Sequence, residues 1–366
     1  MQQPTATSTG RAMRRRLALV LAVLLATLGL AGCTETKVTS QAVRLSARSA
    51  TVLALLNPGA IRPPGTVPLA DALRTALPAA TITETAAHDD QAMQVEQAGN
   101  KGIGILLVQP VDAQRIGPAL KKAHKAGVLV VTVGEIPKDV GGIDLHIGWD
   151  EFSIGEQEIA RLAATLKNAD STQHLEMFAG PRDSLTAMAR FNGAMFALKA
   201  LNEAGTLTVK SGQTNFGTAA VESGDQAAAA KRLATTYQAT YPRHELAAVV
   251  IPDDAMAPTI RQVAADAGHK PPLLLSSGAS TEGVRDVMAG TMLTTQYRDA
   301  AVLAAAIART VTTITSGAEL TVNPQSSRRN RLRKTPAVLV SPQLVSKDNA
   351  AKVLAGNPVL APLTHA

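Results

Sequence analysis

Short, almost wholly apolar runs recur along this chain, at 52–56, 103–108, 128–133, 175–178, 247–251 and 273–275. Runs this short, without polar alternation, read as strands buried on both faces. Between them lie segments with alanine, leucine and charge at helical spacing, at 111–126, 152–166, 184–204, 225–241 and 255–267, several closed by Gly127, Gly205 or Gly268. Repeated strand-helix-strand order implies parallel sheets covered by helices. One sheet would hold so many strands poorly, so the expected fold is α/β with two Rossmann-like lobes. In such sheets a ligand sits beyond the carboxyl ends of the strands, and that rule selects the loops to inspect.

The N-terminus has a different character. Arg11, Arg14, Arg15 and Arg16 precede an apolar run over 17–31 that ends at Gly32-Cys33. A basic segment, an apolar segment and small residues before a cleavage point make a secretory signal. The run falls short of the ~20 apolar residues that span a bilayer, so residues 1–32 are expected to be removed. Leu30-Ala31-Gly32-Cys33 resembles the bacterial lipobox, in which the cysteine is lipidated. Cys33 is the only cysteine, which excludes an intramolecular disulfide. Residues 34–50 are polar and read as a flexible tether between lipid and domain. The expected location is therefore extracytoplasmic, with the chain lipid-anchored to a bacterial cell membrane.

Charge excludes one class of partner. Four arginines and no acid lie within residues 1–32, so the formal charge falls from +7 to +3 once they are gone. A nucleic-acid partner is not indicated, because phosphate binding needs a clustered basic footprint. The one cluster that survives, Arg328, Arg329, Arg331, Arg333 and Lys334, reads as a solvated surface loop or as a contact for anionic envelope lipids or polymers. Histidines 88, 124, 146, 174, 244, 269 and 365 are scattered without ligand spacing, so no metal is expected. Residues 276–280 lack the Gly-x-Ser-x-Gly elbow, and no Walker loop or Gly-x-Gly-x-x-Gly turn follows a strand. No enzyme activity and no cofactor are expected.

A family resemblance runs through most of the remaining chain. Gly104-Ile105-Leu106-Leu107-Val108-Gln109-Pro110-Val111-Asp112 with 123–133, Ile147-Gly148-Trp149-Asp150 with Gly155, Ala179-Gly180 with Asn192-Gly193-Ala194-Met195, and Ile251-Pro252-Asp253-Asp254-Ala255 form one collinear series. Ala289-Gly290-Thr291, Tyr297-Arg298 and Thr335-Pro336-Ala337 with Asp348-Asn349 continue it. In order and spacing these pieces resemble the type I periplasmic sugar-binding proteins, nearest the xylose and multiple-sugar receptors of ABC importers. The resemblance implies a clamshell whose chain crosses a hinge three times, near Gly148, Tyr297 and Pro336. One lobe would comprise 51–147 plus 298–335, the other 148–297 plus 336–366.

The ligand site implied by the resemblance is largely rewritten. All nine aromatic residues fall between Trp149 and Tyr297, which leaves none for the first lobe as bounded above. The aromatic-rich stretch expected after the first strand is replaced by the turn-rich loop that begins at Asn57-Pro58-Gly59. Glu135 follows Gly134 where relatives carry an aspartate-arginine pair, Ser184 opens a helix where they carry Asp-Asn-Asn, and Ser277 stands where a Gln-Asp pair is expected. Asp150, Asp253 and Asp254 fall where the family places ligand-facing or hinge-facing groups, and Arg298 follows a retained Tyr297. Carboxylates accept from hydroxyls, and a guanidinium can meet a carboxylate or hydroxyl. The plainer alternatives are helix capping for Asp253 and Asp254, bracing of the hinge for Asp150, pairing with Asp299 for Arg298 and core packing for Trp149. The candidate ligand-binding residues are thus Asn57, Glu135, Trp149, Asp150, Ser184, Asp253, Asp254, Ser277, Tyr297 and Arg298.

The resemblance implies a receptor that delivers a small polar ligand, a sugar or sugar-like compound, to an ABC permease. The alternative is a sensor or co-receptor that kept the clamshell and lost sugar binding. The two-lobed regulators of the lactose repressor family are disfavoured, because a secretion signal stands where their DNA-binding helices would be.

Overall fold

The computed structural model describes residues 41–365 except Ile61, Gln114, Ser223, Gly224, Arg243, His244 and the segments 323–327 and 330–333. Cys33 and the expected secretion signal lie outside the described residues.

Two six-stranded sheets organise the chain. The first is built from β2 (Val52–Leu56), β3 (Thr81–Glu84), β4 (Ile105–Val108), β5 (Leu129–Val133), β6 (Leu145–Trp149) and β15 (Ala337–Val340), in the order β3-β2-β4-β5-β6-β15. Every neighbouring pair in it is parallel. The second is built from β7 (Gln173–Met177), β8 (Leu207–Thr208), β9 (Ala248–Val250), β10 (Leu273–Leu275), β11 (Met292–Tyr297) and β16 (Gln343–Val345), in the order β8-β7-β9-β10-β11-β16. Only its edge strand β16 runs antiparallel, against β11.

The apolar runs follow from burial on both faces. Along β2, Val52, Ala54 and Leu56 enter one core cluster while Leu53 and Leu55 enter the other. β4 divides in the same way, Ile105 and Leu107 against Leu106 and Val108. Successive side chains point to opposite faces, and each fully buried leucine or isoleucine contributes roughly 1.5–3 kcal/mol. The helices α1 (Leu69–Ala76), α2 (His88–Ala98) and α3 (Gly117–Lys125) belong to the first lobe, and α4 (Glu151–Thr165), α5 (Leu185–Glu203), α6 (Phe216–Ala219), α7 (Gln226–Thr240), α8 (Ala257–Asp266) and α9 (Thr281–Ala289) to the second. α10 (Ala300–Thr315) packs Leu303, Ile307 and Val311 into the first lobe's core. α4 and α5 approach so closely that a Cβ on Gly155 would lie 2.0 Å from the Arg190 carbonyl oxygen, and one on Gly193 would lie 1.9 Å from that of Phe152.

The chain passes between lobes at Asp150, at Arg298 and Asp299, and at Ser341-Pro342. The third passage lies beyond the expected Pro336, because Ala337-Val338-Leu339-Val340 is itself an apolar β run that pairs with His146 to Trp149. Gly148 likewise stays within β6, opposite Leu339. Trp149 therefore belongs to the first sheet, and the first lobe does carry an aromatic ring.

Residues 41–50 of the segment expected as a tether, 33–50, belong to the folded lobe instead. β1 (Gln41–Val43) pairs antiparallel with β12 (Leu320–Val322), and Val43, Leu45 and Ala47 pack on the first lobe's core while their neighbours face out. Alternation with period two produces this, a pattern that a search for helical spacing passes over. Arg48 then donates to the carbonyls of Ile103, Ala126 and Gly99. Within the basic cluster, β13 (Arg328–Arg329) pairs with β14 (Lys334–Thr335), and the residues between them lie outside those described.

Candidate functional site

In an open α/β sheet the crevice forms where neighbouring strands connect in opposite directions. In the first sheet that point lies between β2 and β4, whose carboxyl ends lead into Asn57 and Gln109. A cavity of about 90 Å³ sits there, lined among others by Asn57, Arg62, Glu84, Gln109, Trp149 and Arg298. Asn57 Oδ1 accepts from Gly59 N–H at 2.9 Å, which shapes the loop, and its amide nitrogen meets no partner among the described residues. Gln109 Oε1 accepts from Asn57 N–H at 3.3 Å and similarly leaves Nε2. Arg62 holds the same loop by donating to Thr66 O at 2.7 Å.

Arg298 is the most constrained group of the site. Its Nε and Nη2 donate to Glu151 at 2.8–3.0 Å, Nη2 also reaches Gln296 Oε1 at 2.6 Å, and Nη1 donates to Ser277 Oγ at 2.8 Å. A guanidinium carries five N–H donors. Four are engaged within the protein, and one on Nη1 meets no partner among the described residues. The sequence expectation paired Arg298 with Asp299. Asp299 instead caps α10 through Ala301 N–H, and Arg298 pairs with Glu151, the first residue of α4. The same network continues through Gln296 Nε2 to Glu158 at 3.2 Å, and Glu158 meets Arg190 in a bidentate pair at 2.6 and 2.9 Å.

A second contact joins the lobes directly. Glu135, after β5, accepts from Ser184 Oγ at 3.3 Å, and Ser184 in turn caps α5 by accepting from Ala187 N–H. Burial pushes the Glu135 carboxyl above its ordinary range, against hydrogen bonds from the Thr186 hydroxyl and amide and from Ser184 that pull it down, while the Glu151 charge adds to the rise. Beside this contact Leu185 of α5 is buried in the first lobe's core cluster with Ile136 and Val140.

Of the ten candidates, Asn57, Trp149 and Arg298 line the cavity, and Ser277 touches it through Arg298. Glu135 and Ser184 meet each other. Asp150 caps α4 through Ser153 N–H. Asp254 is buried, with Oδ2 accepting from Ser280 N–H at 2.7 Å and Oδ1 from Thr295 Oγ1 at 2.8 Å, so it ties its own turn to the cap of α9 and to β11 in the second lobe. Asp253 is partly buried, and that burial raises its pKa, with Asp254 alongside adding to the rise. Tyr297 lies in the second lobe's core, its hydroxyl accepting from Asn357 at 3.3 Å, and does not line the cavity. Gln109, Glu84 and Glu151 went unselected in the sequence. Gln109 follows β4 and Glu84 ends β3, so both were open to the same loop rule; Glu151 follows Asp150 and gave no signal of its own.

Among known proteins, residues 69–319 match the periplasmic binding protein domain. The multiple sugar-binding periplasmic receptor ChvE of Rhizobium radiobacter is 27% identical over 272 residues, covering 72% of this chain and 77% of the relative. The D-xylose-binding periplasmic protein of Escherichia coli (strain K12) is 24% identical over 263 residues, covering 72% and 75%. In fold, the chain is similar to a carbohydrate transporter solute binding protein from Chloroflexus aurantiacus solved in complex with D-glucose, with a TM-score of 0.68, 19% identity and coverage of 85% of this chain and 96% of that one. With the match spanning most of its length and two mostly parallel sheets joined by three crossings, the chain belongs to the periplasmic binding protein family.

Proposed function

We propose that this protein is an extracytoplasmic solute-binding lipoprotein of an ABC importer, anchored through lipid on Cys33, that binds a small polar, sugar-like ligand by closing its lobes around it. The observation that carries this reading is the cavity at the strand-order switch of the first sheet, where Asn57, Gln109 and Arg298 each keep a donor group unengaged among the described residues, beside the Trp149 ring. Amide and guanidinium donors with one aromatic ring suit an oxygen-rich ligand. Closure then needs only that the ligand favour the closed form, and the lobes already meet through Glu135 and Ser184. What relatives such as ChvE are named for binding agrees with this chemistry.

A thermal-shift screen over pentoses, hexoses, polyols, nucleosides and amino acids tests the proposal. A ligand at a thousand times its Kd stabilises the protein by about 4 kcal/mol, and Trp149→Ala and Gln109→Ala should each abolish that shift. Silence across every carbohydrate and polyol overturns the sugar-like assignment.

A second reading, a sensor or co-receptor that has lost sugar binding, is favoured by one observation. Two positions where the family resemblance places ligand groups, at Glu135 and Ser184, bond to each other. A neighbouring membrane kinase gene in place of a permease, together with silence in the screen, would select this reading.

A further inference from the structure

The loop that follows β2, where the family resemblance expects aromatic residues, is built from two turns. Ala60 N–H donates to Asn57 O at 3.2 Å, and Thr66 donates to Pro63 O through its amide at 3.3 Å and its hydroxyl at 2.7 Å. Gly65 takes φ +72°, and a Cβ there would lie 2.5 Å from Asn357 Oδ1, so this corner requires glycine. Asn357 holds the corner from the C-terminal segment by donating from Nδ2 to Pro64 O at 2.9 Å. Between these fixed points stands Arg62, which bends back to Thr66 O and lines the hinge cavity.

Arg62 is suited to meet an anion. One of its five N–H donors goes to Thr66 O, and no carboxylate among the described residues pairs with it. The residue is exposed, so its remaining donors are open to a solute, and its neighbour Ile61, outside the described residues, carries no charge. The other guanidinium of the cavity wall, Arg298, is already paired with the buried Glu151. Glu84 is the one carboxylate of the wall; Arg74, which also pairs with Asp71, meets it at 3.6 Å.

The hydrogen-bonding groups of the wall have the same bias. Asn57 Oδ1 and Gln109 Oε1 each accept from a backbone amide, while the amide nitrogens of both side chains meet no partner among the described residues. The Glu84 side chain, 37% exposed, is left as the principal side-chain acceptor. A neutral sugar or polyol brings a hydrogen with nearly every oxygen, whereas a carboxylate brings acceptors alone. A wall of several donors and one acceptor group matches a ligand that carries a carboxylate as well as hydroxyls.

We propose that the hinge cavity selects a polyhydroxy acid, a sugar acid rather than a neutral sugar, with Arg62 meeting the ligand carboxylate and Glu84 accepting from a ligand hydroxyl. This rests on the hinge-binding reading above and narrows its ligand class.

Three acids, each set against a neutral isostere, test it by calorimetry on the full chain: D-glycerate against glycerol, D-gluconate against D-sorbitol, and D-glucuronate against D-glucose. At least one acid should bind about tenfold or more tighter than its isostere, because a charge-assisted bond to a guanidinium replaces a neutral one. Arg62→Gln should bring that pair within about twofold of each other while leaving the affinity for the neutral member within about twofold. Arg62→Lys keeps the charge and should keep at least about a threefold preference for the acid. An arginine that only shapes its loop would weaken both members of the pair equally, in either variant. Trp149→Ala should abolish binding of the acid, which locates it in the hinge cavity. Acid binding that survives Trp149→Ala, a preference that survives Arg62→Gln, or equal losses for acid and isostere would each overturn the proposal. Neutral compounds that bind as tightly as their acids overturn the acid assignment and leave the hinge reading standing. Silence from all six compounds also overturns it, and the wider thermal-shift screen then decides the hinge reading separately.

Discussion

Breaking the ion pair between Arg298 and Glu151 should reveal how firmly two of the three hinge passages are held together. Glu151 opens α4 just after the first passage, and Arg298 stands at the second. The Glu151 side chain is 2% exposed and that of Arg298 is 26% exposed. Removing one partner of a fully buried pair costs about 3–5 kcal/mol, because the other charge is stranded. Since Arg298 is about a quarter solvent-accessible, Arg298→Met should cost less, roughly 2–4 kcal/mol. Glu151→Gln keeps an acceptor for the guanidinium and should cost about 1–2 kcal/mol. In the double variant no charge is stranded, so the two losses should fall short of additivity by about 2 kcal/mol. Urea unfolding of the four proteins measures this, provided the slope with denaturant stays constant. A coupling below about 0.5 kcal/mol would refute the reasoning and reduce the pair to a surface contact.

Three further outcomes are expected. Gly155→Ala should destabilise the protein by roughly 2–3 kcal/mol or more in the same assay, because its methyl would lie 2.0 Å from a backbone carbonyl oxygen on α5 that has no freedom to withdraw. Arg48→Ala should cost about 1–2 kcal/mol, since the guanidinium bonds carbonyls at the ends of both α2 and α3; a loss under a few tenths would mean that water replaces it freely. Glu135 has a folded-state pKa raised by burial, so its favourable contribution is complete below the ordinary carboxylate value near pH 4 and is lost as pH rises through the raised one. Glu135→Gln, uncharged throughout, should match the native protein at the acidic end and exceed its melting temperature near neutrality, and a difference that does not change with pH would contradict this.

The layered α/β architecture is plain from the sequence because strands such as β2 and β4 are buried on both faces and so carry no polar residue to blur them. β1 escaped notice for the opposite reason. Its segment alternates Val43, Leu45 and Ala47 with exposed neighbours, and it borders a polar stretch that invites reading as a linker. Asn57, Trp149 and Arg298 were reachable from the rule that ligands sit beyond strand ends. Tyr297 and Asp254 obey the same rule of position, yet their side chains turn inward to Asn357 and to Ser280 and Thr295. That choice depends on partners distant in sequence, which local spacing does not encode. Glu135 and Ser184 were visible individually, but their mutual contact arises only once the two sheets face each other.

At two of the passages between lobes a helix begins at once: Asp150 caps α4 and Asp299 caps α10. A capped first turn resists unwinding, so neither strap has slack to stretch or slide. What freedom remains is confined to torsion about a few backbone bonds, which makes the joint behave as a short pivot. For the closure proposed above, such a pivot would set the direction in which the lobes swing and leave the angle at which they stop to the ligand between them.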